Sequence, residues 1–136
     1  PKSDIMIKMI HHLLPFIFYV ILIVVIVKAY LGKITDPKKD RLLIVTLILA
    51  HSQLLLGLYL MIDFISKAGI HMGESANRFI TVEHPTTMLI GVILITVGKV
   101  KAKKIEDVVK ANKIIFSYFW VALVAFALRT PWDKLF

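Results

Sequence analysis

The sequence predicts an all-α integral membrane protein: a single domain over residues 1–136, folded as an up-and-down four-helix transmembrane bundle with both termini on the outer side. Three observations carry this expectation. The chain of 136 residues is 58% hydrophobic, with a mean hydropathy of +0.80, and a soluble domain of that size is close to half apolar. The apolar residues fall into four blocks, each near the roughly 20 residues that cross a bilayer core. The lysines and arginines lie mostly between those blocks.

The first block covers 13–31, LLPFIFYVILIVVIVKAYL. Pro15 stands in the first turn of that block, where proline costs little, and Gly32 is a natural residue beyond a helix end. The block is long and no small-residue cleavage site follows it, so it reads as a span rather than a signal peptide. A short connection with the turn signal Asp36-Pro37 follows. The second block covers 42–65. After it comes a small, polar, Gly-rich loop, SKAGIHMGESANR, in which Ser75 is a candidate helix cap. The third block covers 79–97, with Pro85 in its first turns as a candidate bend. The basic stretch from Lys99 to Lys113 suits an anionic lipid surface. The fourth block covers 114–130 and is the shortest, spanning only if Arg129 snorkels.

Charge sets the expected orientation. Of 17 basic residues, the first and third connections and their edges hold Lys28, Lys33, Lys38, Lys39, Arg41, Lys99, Lys101, Lys103, Lys104, Lys110 and Lys113. Excess Lys and Arg stays cytoplasmic, so the termini and the loop carrying His71 are expected outside. The net charge of +8 is thus loop charge and calls for no nucleic acid. The absence of cysteine excludes disulfides, thiolate catalysis and iron–sulfur clusters. No phosphate loop, nucleophile elbow or His-Glu-x-x-His motif occurs, which argues against a hydrolase or a nucleotide-driven machine.

Ionisable residues within spans are costly and usually face the bundle interior. Here they are His11, His12, His51, Asp63, Glu83, His84 and Arg129. All except His51 fall in the outer half. Imidazole is a usual axial ligand of haem iron, and two such ligands leave no open position. Helical rise puts His12 about 13 Å outward of the middle of its helix, His84 about 7 Å outward, and His51 about 4–5 Å on the cytoplasmic side. The depth mismatch is then about 6 Å for His12 with His84 and about 11 Å for His51 with His84. Helices one and three of such a bundle lie on a diagonal, so a flat macrocycle between these histidines would sit among all four helices.

Small residues recur at helical spacing: Thr46, Ala50, Gln53 and Gly57 on the second helix, His84, Thr87, Gly91 and Gly98 on the third, and Tyr118, Ala122, Ala125 and Arg129 on the fourth. They read either as close helix packing or as room for a porphyrin, with Arg129 near a propionate. His51, beside Ser52 and Gln53, reads equally as a hydrogen-bonding residue between helices. His71 reads as a solvated loop residue. Asp63 is a candidate ion-pair partner of Arg129 or Arg78, and Glu83 an ion-pair or orienting group beside His84.

Several of these residues carry a family resemblance. The run Ala50-His51-Ser52-Gln53-Leu54-Leu55-Leu56-Gly57-Leu58, then Arg78-Phe79, Val82-Glu83-His84-Pro85 with Met88, the Thr96-Val97-Gly98 exit, and Pro131-Trp132 resembles small bacterial four-helix membrane proteins labelled cytochrome b. The resemblance covers nearly the whole chain. The order His11 or His12, then Gln53-Leu54-Leu55-Leu56-Gly57, then His84 is also similar to half of a haem A synthase. Where the relatives carry a Ser-Gly-Leu-Arg-Trp-like stretch after the first histidine, this chain has Leu13-Leu14-Pro15-Phe16, and the choice between His11 and His12 stays open. The resemblance implies a bacterial inner-membrane protein holding haem b and linked to quinol or respiratory electron transport. His84 is then the first ligand, His12 or His11 its partner, and His51 the reserve. The alternative expectation is a cofactor-free accessory subunit of a larger membrane complex, in contact with lipid, other subunits or a second copy of itself. An enzyme using Glu83 and His84 as an acid–base pair ranks third.

Overall fold

The computed structural model describes residues 2–135. Four long helices account for most of it, and no strand occurs among the described residues. The first, α1, runs Lys2–Tyr30. The second, α2, runs Arg41–Ala68. The third, α3, covers residues 75–102 and has three parts: an α turn Ser75–Arg78, a π turn Phe79–Glu83 and an α-helix His84–Ala102. The fourth, α4, runs Val108–Arg129. A single turn, α5, follows at Trp132–Leu135. All four long helices are long and apolar enough to cross a membrane.

The helices outrun the apolar blocks. At about 1.5 Å per residue, the 29 residues of α1 reach about 43 Å. This extension moves Pro15 from a first turn to the interior of α1. It also brings Lys2 to His12 into the helix, so both histidines stand on α1.

The helix ends follow from local chemistry. Asp40 caps α2 by accepting from Leu43 N at 3.0 Å, and the same carboxylate meets Lys28 Nζ at 2.5 Å, tying the end of α1 to the start of α2. Asp107 caps α4 through Val109 N and Lys110 N. Gly69, at φ +74°, stops α2 and returns its N–H to Ile65 O. Ser75, the expected cap, is instead the first residue of α3, and Glu74 precedes it without a side-chain capping bond.

Each end of the bundle is clipped by one buried asparagine. At the lysine-rich end, the Asn112 amide of α4 brackets Ile34: Oδ1 accepts from Ile34 N at 3.1 Å and Nδ2 donates to Ile34 O at 2.9 Å. At the other end, Asn77 of α3 accepts from His71 N and donates to Gly69 O. These contacts hold the loops against the helices and satisfy main-chain groups that the apolar surroundings leave without water.

In the ring of helices, α1 packs on α2 and α4, and α3 packs on α2 and, most extensively, on α4. Hence α1 faces α3 across the diagonal. The close packing is lopsided. Fully buried apolar side chains run from Phe18 to Ala29 on α1, from Leu43 to Ala50 on α2, from Val92 to Ala102 on α3 and from Ala111 to Phe126 on α4. This is the lysine-rich half together with the middle. Toward the termini, residues 2–17 of α1, 51–68 of α2 and 79–90 of α3 contain no fully buried side chain.

Candidate functional site

The site lies in that loosely packed half and begins with two defects in main-chain hydrogen bonding. Proline has no N–H, so Pro15 inside α1 leaves the carbonyl four residues earlier, at His11, without its helical donor. An apolar surround would offer little water to replace it. Gln53 of α2 fills the gap, its Nε2 donating to His11 O at 2.6 Å. The second defect is the end of α4, where the last carbonyls have no helical partner. Arg129 O accepts from His84 Nδ1 at 2.6 Å.

A third irregularity aims His84. Pro85 cannot donate to Thr81, and in a regular α-helix its ring would press on that carbonyl. The backbone widens instead into the π turn Phe79–Glu83, closed by the His84 N–H bonding to Phe79 O. Such π turns cluster at functional sites. This one brings Phe79 onto the His84 imidazole, with ring centroids 5.5 Å apart at 29°. Stacking on one side and the Arg129 carbonyl at Nδ1 hold the ring. Because a carbonyl only accepts, Nδ1 carries the proton and Nε2 keeps a free lone pair.

Across the diagonal, the His11 ring faces His84, with centroids 6.4 Å apart and planes at 88°. His11 lies on the inward stripe Asp4, Ile7, His11, Leu14 and Phe18. Its ring rests in the notch left by Gly57, where an added Cβ would come 3.0 Å from Cε1. His11 Nδ1 and Gln53 Oε1 are buried without a hydrogen-bond partner among the described residues.

Two imidazoles held on opposite sides of one metal by nitrogens about 2 Å from it have ring centres about 6 Å apart; the centroids here lie 6.4 Å apart. A neutral His84 with Nδ1–H on a carbonyl is also the arrangement that orients a metal-bound histidine. No group of three or more His, Cys, Asp or Glu residues suited to a bare ion occurs among the described residues.

Other sequence candidates lie elsewhere. His12, one residue from His11, is exposed; its ring centroid lies 6.1 Å from that of His11. His51 lies on the surface between α2 and α3, with Nδ1 on Leu47 O at 2.7 Å and Nε2 3.4 Å from Thr96 Oγ1. The guanidinium of Arg129 turns back to Leu128 O at 3.1 Å, while its main-chain carbonyl meets His84. Asp63 pairs with Lys67 at 3.0 Å, one turn along the same helix, and with neither Arg129 nor Arg78. Arg78 meets Glu83 at 2.9 Å.

The small-residue stripes divide between the two readings. Gly91 and Gly98 make no room for a cofactor. They are filled from α4 by Phe126 and Tyr118, and a Cβ would fall 2.4 Å and 2.6 Å from those side chains. Gly57 accommodates the histidine itself. Phe79 and the Arg129 carbonyl were not legible as site groups, because the π turn and the end of α4 assign them. No family model matches the chain, and no curated protein or solved structure matches it.

Proposed function

We propose that the protein is a b-type haem protein of the bacterial inner membrane, in which His11 and His84 would hold the haem iron, with both termini outside, and that it carries electrons in a quinol-linked chain. One observation carries this reading: two imidazoles on diagonal helices, 6.4 Å apart, in the loosely packed half of a bundle otherwise tightly closed. The sequence resemblance points the same way.

When bound, haem would supply one-electron redox chemistry, with two histidine ligands leaving no open position for substrate. The chain's own residues supply the rest. His84 Nδ1 holds its proton against Arg129 O, which raises the basicity of Nε2 and fixes the plane of its ring. Gln53 anchors the main chain of His11, and the Gly57 notch sets how far that ring moves. Ile7 and Leu14, about one turn to either side of His11 on α1, are partly exposed apolar side chains.

The test is a reduced-minus-oxidised spectrum of single variants. His84→Ala and His11→Ala are expected to lose the b-type signal, while His12→Ala keeps it. Retention of the signal in a folded His84→Ala protein contradicts the ligand assignment. Absence of haem in the wild type favours the accessory-subunit reading.

A further inference from the structure

At the lysine-rich end, the connection after α1 and the connection between α3 and α4 enclose a cleft of about 580 Å³. Both walls are pinned. In the first, Asp36 Oδ1 accepts from Lys38 N at 3.0 Å, and Asp36 O accepts from Lys39 N and Asp40 N. Asn112 holds Ile34 and Lys28 holds Asp40 on either side of that turn. In the second, the N–H groups of Lys103, Lys104 and Ile105 return to Lys99 O, Lys101 O and Ala102 O. Asp107 then caps α4. The main chain of both walls is thus fixed without any ligand.

Charge and depth narrow what fits between them. Lys38, Lys103 and Lys104 line the cleft, and none pairs with a carboxylate among the described residues. Eleven basic residues stand at this end and its edges, against Asp36, Asp40, Glu106 and Asp107. Asp40 and Asp107 are spent as helix caps. The excess favours an anion, and lysine binds phosphate as a point charge. Glu106 also lines the cleft and pairs with no cation among the described residues. A carboxylate only accepts, so beside a phosphate it answers a hydroxyl of the same ligand. Pro37 and Ala111, both buried, add an apolar floor. The stretches long and apolar enough to cross a membrane stop at Ala102 and resume at Val108, so the cleft lies at headgroup level. Val108 and Val109 are exposed, and apolar surface for acyl chains begins at the rim.

We propose that this cleft binds one anionic phospholipid with a phosphoglycerol headgroup. The phosphodiester sits against Lys38, Lys103 and Lys104, a headgroup hydroxyl donates to Glu106, and the acyl chains leave over Val108. A lysine-rich surface attracts anionic lipid of any kind by charge alone; the cleft selects among headgroups of equal charge. The site rests on the four helices crossing a membrane and does not require haem at His11 and His84.

The test titrates the full chain in mild detergent with dioctanoyl phosphatidylglycerol and with dioctanoyl phosphatidylmethanol, read by native mass spectrometry. The two lipids carry the same charge, and only the first has headgroup hydroxyls. Phosphatidylglycerol is expected to bind about tenfold tighter, the scale of one hydrogen bond to a charged group. Glu106→Ala is expected to bring that ratio to about one while both lipids still bind. The double variant Lys38→Gln/Lys104→Gln is expected to weaken both lipids about tenfold or more. Lys39→Gln/Lys113→Gln removes the same charge outside the cleft and is expected to weaken them far less. Val108→Trp fills the cleft without changing charge and is expected to remove binding, which decides the matter should a lysine variant not fold. Equal affinity for the two lipids, an unchanged ratio in Glu106→Ala, or equal losses in the two double variants overturns the proposal. So does binding of glycerol 3-phosphate or inorganic phosphate as tight as that of the lipid, which assigns the cleft to a soluble anion. A protein without haem that passes this test keeps its lipid site, so the two readings fail separately.

Discussion

Among individual residues, the decisive distinction is between His11 and His12. Neighbours on a helix point about 100° apart, so two adjacent histidines cannot both face the bundle. Sequence depth alone did not separate them. The Gly57 notch and the Gln53 anchor did, and both belong to another helix. Gln53 answers a carbonyl that Pro15 leaves bare, and this coupling has a sharp consequence. Gln53→Leu orphans a buried acceptor and is expected to cost about 1–3 kcal/mol. In Pro15→Ala the restored N–H serves His11 O within the helix, so adding Gln53→Leu to that background is expected to cost clearly less. A double-mutant cycle on thermal or denaturant unfolding checks this, and fully additive losses contradict it. Likewise Asn112→Leu strands both main-chain groups of Ile34 and is expected to lower stability by about 1–3 kcal/mol, measured by the same unfolding. The role of Asn112 needs the fold that brings residue 34 to it.

The four helices, their order and their diagonal pairing were legible from apolar block length, and the connections from Asp-Pro, Gly and charge. The limits of the elements were not, because helices continue into the interface wherever side chains permit. Pro15 and Lys2 to His12 show it on α1. The π turn was half legible: Pro85 forecast a disturbance, and tertiary packing decided its form. The glycine stripes were ambiguous because helix packing and cofactor clearance demand the same small residues. The structure separates them by what fills each space. Gly98→Ala is expected to destabilise by about 1–3 kcal/mol through overpacking, since its Cβ would lie 2.6 Å from Tyr118 Cβ, close to a backbone that cannot yield. Gly57→Ala meets only the far edge of an imidazole at 3.0 Å, and is expected to retain stability while altering the spectrum or content of bound haem. A reversed ranking of the two variants in thermal unfolding contradicts this division.

For the whole molecule, the bundle is closed at its lysine-rich half and looser toward its termini, and the candidate site sits where packing relaxes. The asymmetry shows only in the folded packing, where the fully buried side chains gather in one half and the middle. The proposed orientation rests on charge: 11 of the 17 basic residues lie on one end and its edges. With no native cysteine, single reporters are clean. Ser75→Cys is expected to react with a membrane-impermeant maleimide added to intact cells, and Lys103→Cys only after permeabilisation; the opposite pattern contradicts the orientation. The central claim is the cofactor. A dithionite-reduced minus oxidised spectrum with a pyridine haemochrome assay, on protein purified in mild detergent after expression with ample haem, tests it most directly. A b-type α band at near one haem per chain is expected, and a clean absence of any haem signal contradicts the proposed haem binding.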